Sequence, residues 1–258
     1  YDGTTITQLT DNDLNDVGPR VNDSGEVVWY GYDGNDSEIF FYDGTNIIQL
    51  TDNDYDDVEP RVNDSGEVVW YSDRWLTFEI GEIFFYDGTT ITQLTDNDYP
   101  DKFPQINNSG EVVWQGDWGD EIFFFNGTTI TQLIDDNRDG GSPQINNSGE
   151  VVWYGYDDGD DTEIFFYNGT TITQLTANDY GDGSPQINNS GEVVWYRSDG
   201  SDRNDYEIFF YDGTTIIQLT DNDFNDVGPR VNDSGEVVWY GDDGNDSEIF
   251  FYDGTNII

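Results

Sequence analysis

Apolar residues in this chain come in short runs that alternate strictly, and both alternating sets are apolar. In the run from Glu26 to Gly31, Val27 and Trp29 fall on one side while Val28 and Tyr30 fall on the other. From Glu38 to Tyr42, Ile39 and Phe41 oppose Phe40 and Tyr42. A period of two predicts β-strands. Strands apolar on both sides suit an antiparallel sheet sandwiched between copies of itself, and not one wetted on a single side. The run T-T-I-T-Q-L-T from Thr4 is half polar, as an outer edge strand should be. Between the runs stand N-D-S-G, an acidic stretch and D-G-T, which read as turns and loops.

The same runs recur along all 258 residues. G-E-V-V-W starts at Gly25, Gly66, Gly110, Gly149, Gly191 and Gly235, and E-I-F-F starts at Glu38, Glu82, Glu121, Glu163, Glu207 and Glu248. The spacing of 39 to 44 residues matches four strands per propeller blade. Residues 229–258 repeat residues 19–48 with one difference, Tyr32 against Asp242. The expectation is an all-β single domain: a six-bladed β-propeller of four-stranded antiparallel blades, at about 19–54, 60–98, 104–137, 143–179, 185–223 and 229–258. Residues 1–10 are expected to supply the outer strand that closes the ring on the last blade. Asn256, Ile257 and Ile258 compete with Thr5, Ile6 and Thr7 for that edge, so exchange of strands between molecules is a second outcome, giving an oligomer where a monomer is the first.

The stretch P-R-V-N-D-S-G-E-V-V-W through E-I-F-F-Y-D-G-T-N-I-I-Q-L-T resembles the TolB-type propeller repeat, over essentially the whole chain. It departs from that family by carrying N-D-S-G or N-N-S-G where S-P-D-G is usual. The resemblance implies a six-bladed ring used mainly for binding proteins or small ligands in exported compartments. No active-site signature belongs to it.

Composition narrows the chemistry. With 55 Asp and Glu against 8 Lys and Arg the net charge is −47, which argues against nucleic acid and anionic membranes as partners. The absence of His, Cys and Met removes disulfides, thiol chemistry, Ser-His-Asp and Cys-His pairs and the usual zinc ligands. There is no signal peptide, membrane-spanning run or starting Met, so the chain reads as a mature or excised segment, with export or the periplasm as the expected compartment.

Three candidate sites follow. The loops before the first strand of several blades space their acids as a cation-binding turn would: Asp11, Asp13 and Asp16; Asp52, Asp54 and Asp56; Asp221, Asp223 and Asp226. Calcium takes six to eight oxygens and such loops offer several; the alternative is a solvated acidic rim that keeps an aromatic-rich protein soluble. Arg20, Arg61 and Arg230 share one place in the innermost strand, where Gln105, Gln144 and Gln186 stand in the other blades. They either converge on an anion such as a carboxylate or pair with nearby loop aspartates. Blades two and three break the repeat with Trp75, Phe78, Tyr99, Lys102, Phe103 and Trp118, either a binding patch or an extended, packed hairpin. The functional expectation is a non-catalytic scaffold that recognises a protein or a glycan through its acidic loop face. Glycoside hydrolysis by paired carboxylates and a self-associating structural repeat are the alternatives. No unique carboxylate pair stands out for the former.

Overall fold

The computed structural model describes residues 3–74, 79–116, 121–134, 140–156, 161–198, 200, 205–242 and 244–258. All regular structure among them is β, and no helix is long and apolar enough to cross a membrane. The first sheet holds β1 (Asp16–Val21), β2 (Val27–Tyr32), β3 (Ser37–Tyr42) and β4 (Ile47–Gln49), and the second holds β5 (Asp56–Val62), β6 (Val68–Arg74), β7 (Glu79–Tyr86) and β8 (Ile91–Gln93). The third holds β9 (Lys102–Ile106), β10 (Val112–Gly116), β11 (Glu121–Phe125) and β12 (Ile130–Gln132). The fourth holds β13 (Gly140–Ile145), β14 (Val151–Tyr156), β15 (Thr162–Tyr167) and β16 (Ile172–Gln174). The fifth holds β17 (Asp182–Ile187), β18 (Val193–Ser198), β19 (Tyr206–Tyr211) and β20 (Ile216–Gln218). The sixth has three strands, β21 (Asp226–Val231), β22 (Val237–Asp242) and β23 (Ser247–Tyr252). Strand order follows the chain in every sheet, so each is an antiparallel meander.

The chain divides into two compact units, residues 1–118 with 125–130, and residues 119–124 with 131–258. In the first unit Val28, Ile39 and Phe41 of the first sheet pack against Val68 and Trp70 of the second. In the second unit Val152 and Ile164 pack against Val193, Trp195 and Phe209, while Val194, Ile208 and Phe210 pack against Val237 and Trp239. Alternate residues of one strand therefore serve opposite interfaces, which is why both sets are apolar. Within five of the sheets the Trp of the second strand stacks on its cross-strand Phe, as in Trp70 on Phe84 (5.9 Å) and Trp195 on Phe209 (6.0 Å).

The N-D-S-G and N-N-S-G turns hold sheets to their neighbours. Asn63 Oδ1 accepts the Ser65 and Glu67 N–H groups, and its Nδ2 donates to the Asn107 carbonyl of the following sheet at 2.9 Å. Asn146 reaches the Asn188 carbonyl and Asn188 the Asn232 carbonyl in the same way. One amide shapes the turn and bridges two sheets.

Two expectations are corrected. Residues 4–10 form no strand, and Ile6 is 85% exposed. The edge beside β23 is taken instead by the chain's other end: Ile257 bridges Tyr252, and Phe251 and Ile258 exchange both backbone hydrogen bonds. Those residues are joined to β23 by a tight turn, so closing that edge costs little loop entropy. The first strand of several sheets also begins before its Pro. Asp16, Asp56 and Asp226, expected on rim loops, are the first residues of β1, β5 and β21.

Candidate functional site

An early start for the first strand of a sheet demands a way past a residue that lacks an N–H. The register shifts between Val17 and Arg20, between Val58 and Arg61, and between Gly141 and Gln144, so each strand bulges around its Pro. The residue before Pro adopts left-handed φ in every copy: Gly18 63°, Glu59 51°, Phe103 56°, Ser142 51°, Ser184 50° and Gly228 66°. For the four that are not glycine this conformation costs about 1–3 kcal/mol each. Bulges re-aim the side chain that follows, and here that residue is Arg20, Arg61, Gln105, Gln144, Gln186 or Arg230.

None of these arginines has a carboxylate partner among the described residues. Arg20 donates to the Pro19 carbonyl (3.0 Å) and Arg230 to that of Pro229 (2.8 Å). Arg61 donates to the Glu59 and Pro60 carbonyls and, through Nε, to Gln105 Oε1 at 3.2 Å. Burial lowers the pKa of Arg61, the Arg20 charge lowers it further, and Glu59 partly restores it. Among the described residues, then, the alternative of pairing with loop aspartates is not seen. Arg20, Arg61 and Gln105 offer N–H and amide groups on one bulged rank within the first unit. Such a rank can take an anionic group by charge-assisted hydrogen bonds.

The aspartates of the calcium expectation are differently employed. Asp57 is buried, accepts the Trp70 indole N–H at 2.9 Å and accepts Asn53 Nδ2 at 2.7 Å. Asn53 Oδ1 in turn accepts the Tyr55 N–H, shaping the loop, while the Asn53 N–H donates to Glu38 Oε1 at 2.8 Å. The same set recurs with Trp29, Asp16 and Asn12, with Trp114, Asp101 and Asn97, with Trp195, Asp182 and Asn178, and with Trp239, Asp226 and Asn222. Asp16 and Asp226 are thus spent on an indole, because a buried indole N–H needs an acceptor. Asp56 accepts the Ser37 N–H at 3.0 Å, and Asp11, Asp13, Asp52, Asp54, Asp221 and Asp223 are exposed. Among the described residues, no three of these nine lie within 4.8 Å of one another.

Exceptions to the network are informative. Gly140 stands where the fourth sheet should carry the aspartate, and the Trp153 N–H is left without an acceptor among the described residues. A Cβ on Gly140 would meet Ile134 at 2.6 Å, so apolar packing has replaced the polar contact. In the fifth sheet Arg197 joins Asp182 through Nε (2.9 Å) and lies 4.1 Å from the Phe209 ring.

Of the expected patch, Trp75, Phe78 and Trp118 lie outside the described residues. Tyr99 and Phe103 are about half exposed. Lys102 pairs with Asp73 at 3.4 Å and stands over the Tyr71 ring, and Phe103 meets that ring edge-on at 6.2 Å. Lys102 and Phe103 are therefore engaged with their own sheet's neighbour.

No family model matches the chain, and no curated protein matches it. Solved structures do. The β-propeller domain of the Trilobed protease from Pyrococcus furiosus, described as having an open velcro topology, is 12% identical with a TM-score of 0.64, over 93% of this chain and 80% of that one. The Pyrococcus horikoshii acylaminoacyl peptidase is 10% identical with a TM-score of 0.61, over 94% of this chain and 45% of that one. Virginiamycin B lyase from Staphylococcus aureus is 13% identical with a TM-score of 0.56, over 94% and 86%. The chain spans less than half the length of the acylaminoacyl peptidase. The likeness shows a β-propeller fold built of repeated antiparallel sheets. It goes against the expectation of a scaffold reading proteins or glycans with its acidic face, since the similar propellers belong to peptidases and a lyase.

Proposed function

We propose that this chain is an enzyme-associated propeller of six blades, related to the TolB-type repeat, which holds an anionic group of a peptide-like substrate for a catalytic domain. The observation that carries the reading is the bulged rank of Arg20 and Arg61: two guanidiniums close enough that the Arg20 charge lowers the pKa of Arg61, neither with a carboxylate partner among the described residues, in a chain of net charge −47. A strained backbone conformation is maintained at Glu59 and Phe103, which aim Arg61 and Gln105, and such strain concentrates at working sites. Similarity to propeller domains of peptidases supports the association with an enzyme. With no His and no Cys among these residues, the nucleophile and base of a peptidase would stand elsewhere.

The repeat itself supplies the test variant, because Gln already occupies this place in three blades. Calorimetric titration with an acetylated dipeptide acid and with its amide should show binding of the acid and at least tenfold weaker binding of the amide. Arg20→Gln/Arg61→Gln should lose the difference while keeping the native circular dichroism. A charge-assisted hydrogen bond of about 1.5–3 kcal/mol corresponds to a loss of roughly 10-fold to 100-fold. Equal affinity for acid and amide, or an unaltered double variant, would contradict the arginine role. Cleavage of the dipeptide by this chain alone would contradict the division of labour.

A further inference from the structure

We propose that Asp33, Asp36 and Glu38 form a site for a hard divalent cation of the calcium type. One carboxylate oxygen from each lies within 4.8 Å of the others, the separation expected of oxygens sharing an ion at 2.3–2.6 Å. The three residues occupy the turn between β2 and β3 and the start of β3, so the hairpin fixes their spacing. Asp33 Oδ1 closes the turn by accepting the Asn35 and Asp36 N–H groups, at 2.8 and 3.3 Å.

The second and independent observation is a pair of orphaned oxygens. Glu38 is fully buried; its Oε1 accepts the Asn53 N–H and the Thr51 hydroxyl stands beside the carboxylate, but among the described residues neither its Oε2 nor the buried Oδ1 of Asp36 has a hydrogen bond of good geometry. A buried carboxylate without a partner is costly. The surroundings deepen the problem, since Asp54, Asp56 and Asp57 also press negative charge on Asp36. The Thr51 hydroxyl favours the ionised form of Glu38 but carries no charge to balance it. A divalent cation satisfies both free oxygens and offsets the crowding at once. Remaining coordination is open to water and to further oxygens, which suits calcium's six to eight ligands better than the strict octahedron of magnesium.

The residue spacing is a motif, D-G-x-D-[ST]-E, and it returns at Asp158–Glu163 and Asp243–Glu248, each partly outside the described residues. These acids are not the ones whose loop spacing first suggested calcium, and the site does not depend on the arginine rank.

Calorimetric titration of chelator-stripped protein with calcium chloride in 0.15 M sodium chloride tests the site. Saturable binding is expected, with one ion fewer per chain in Glu38→Gln and in Asp36→Asn, and far weaker heat with magnesium. Asp36 is half-buried, so Asp36→Asn should keep the native fold and decides the matter alone if Glu38→Gln does not fold. No calcium heat in the native protein, an unchanged stoichiometry and affinity in Asp36→Asn, or an effect reproduced by sodium chloride at matched ionic strength would each overturn the assignment.

Discussion

Trp70→Ala is expected to destabilise the protein by about 3–5 kcal/mol, measured by urea unfolding at 25 °C. Trp70 is completely buried, stacks on Phe84 and fills the interface with Val28, Ile39 and Phe41 of the preceding sheet. Truncation opens a cavity there and leaves the buried Asp57 carboxylate with one donor fewer. Trp70→Phe separates the two effects, since it keeps most of the volume and removes only the indole N–H. Its expected cost is about 1–3 kcal/mol, that of leaving a buried acceptor short. Trp153 provides the internal control, because its N–H has no acceptor among the described residues. Trp153→Phe should therefore cost less than Trp70→Phe. A loss under about 1 kcal/mol in Trp70→Ala would mean that the sheet interface is not the main source of cohesion.

Stability is expected to rise as pH falls from 8 to 5.5. Burial pushes the Glu163 carboxyl up to about 7, against hydrogen bonds from Thr176 and Asn178 that favour its charge, with Asp182 pushing the same way as burial. Burial raises Glu82, Glu207 and Asp57 as well. The unfolded chain releases such a proton near the ordinary value of 4.5, whereas the folded chain holds that of Glu163 to about 7. Between those values the folded state binds more protons, so acidification favours it. The penalty is absent below the unfolded pKa, grows as pH rises and is complete above the folded one. Each such group tilts stability by at most about 1.4 kcal/mol per pH unit in that window. The turn aspartates oppose this further down: the Asn46 and Thr45 N–H groups hold Asp43 low, and those of Thr90 and Thr89 do the same for Asp87. Their contribution is present above the ordinary carboxylate range and lost below it. Melting temperature should thus be highest on the mildly acidic side, between the two windows. Circular dichroism melts in EDTA with 0.15 M sodium chloride would show it. Glu163→Gln, which mimics the protonated form, should raise the melting temperature at pH 8 and leave it nearly unchanged at pH 5.5. A melting temperature that is higher at pH 8 in the native protein would refute the sign.

Much of the architecture could be read from the chain because it depends on local periodicity copied six times. Val27 to Tyr30 and Ile39 to Tyr42 alternate with both sides apolar, and both sides are packed in the inner sheets. The bulge at V-G-P and V-E-P could not be read so directly. Pro reads as the first residue of a strand, whereas pairing resumes on its far side at Asp16 and Asp56. That error moved Asp16, Asp56 and Asp226 onto the rim and made them appear available to a metal. A signal was nonetheless present: an Asp stands 13 residues before the Trp of G-E-V-V-W in five copies, and Gly140 breaks the rule in the sixth. A constant offset between an acid and an indole N–H points to a bond between them. The orphaned oxygens of Asp36 and Glu38 leave no such trace, because they arise from how the hairpin folds over Asn53.

The functional account depends on guanidiniums at the bulge that have no carboxylate partner among the described residues, and the Nε–H resonance of Arg61, whose bond to Gln105 Oε1 an anion would compete with, reports on them directly in a ¹⁵N-labelled sample. Addition of the acetylated dipeptide acid should move that resonance downfield and slow its exchange with water, while the amide leaves it in place. A signal that stays still with both peptides, with the chain folded and the peptide in excess, would contradict the account.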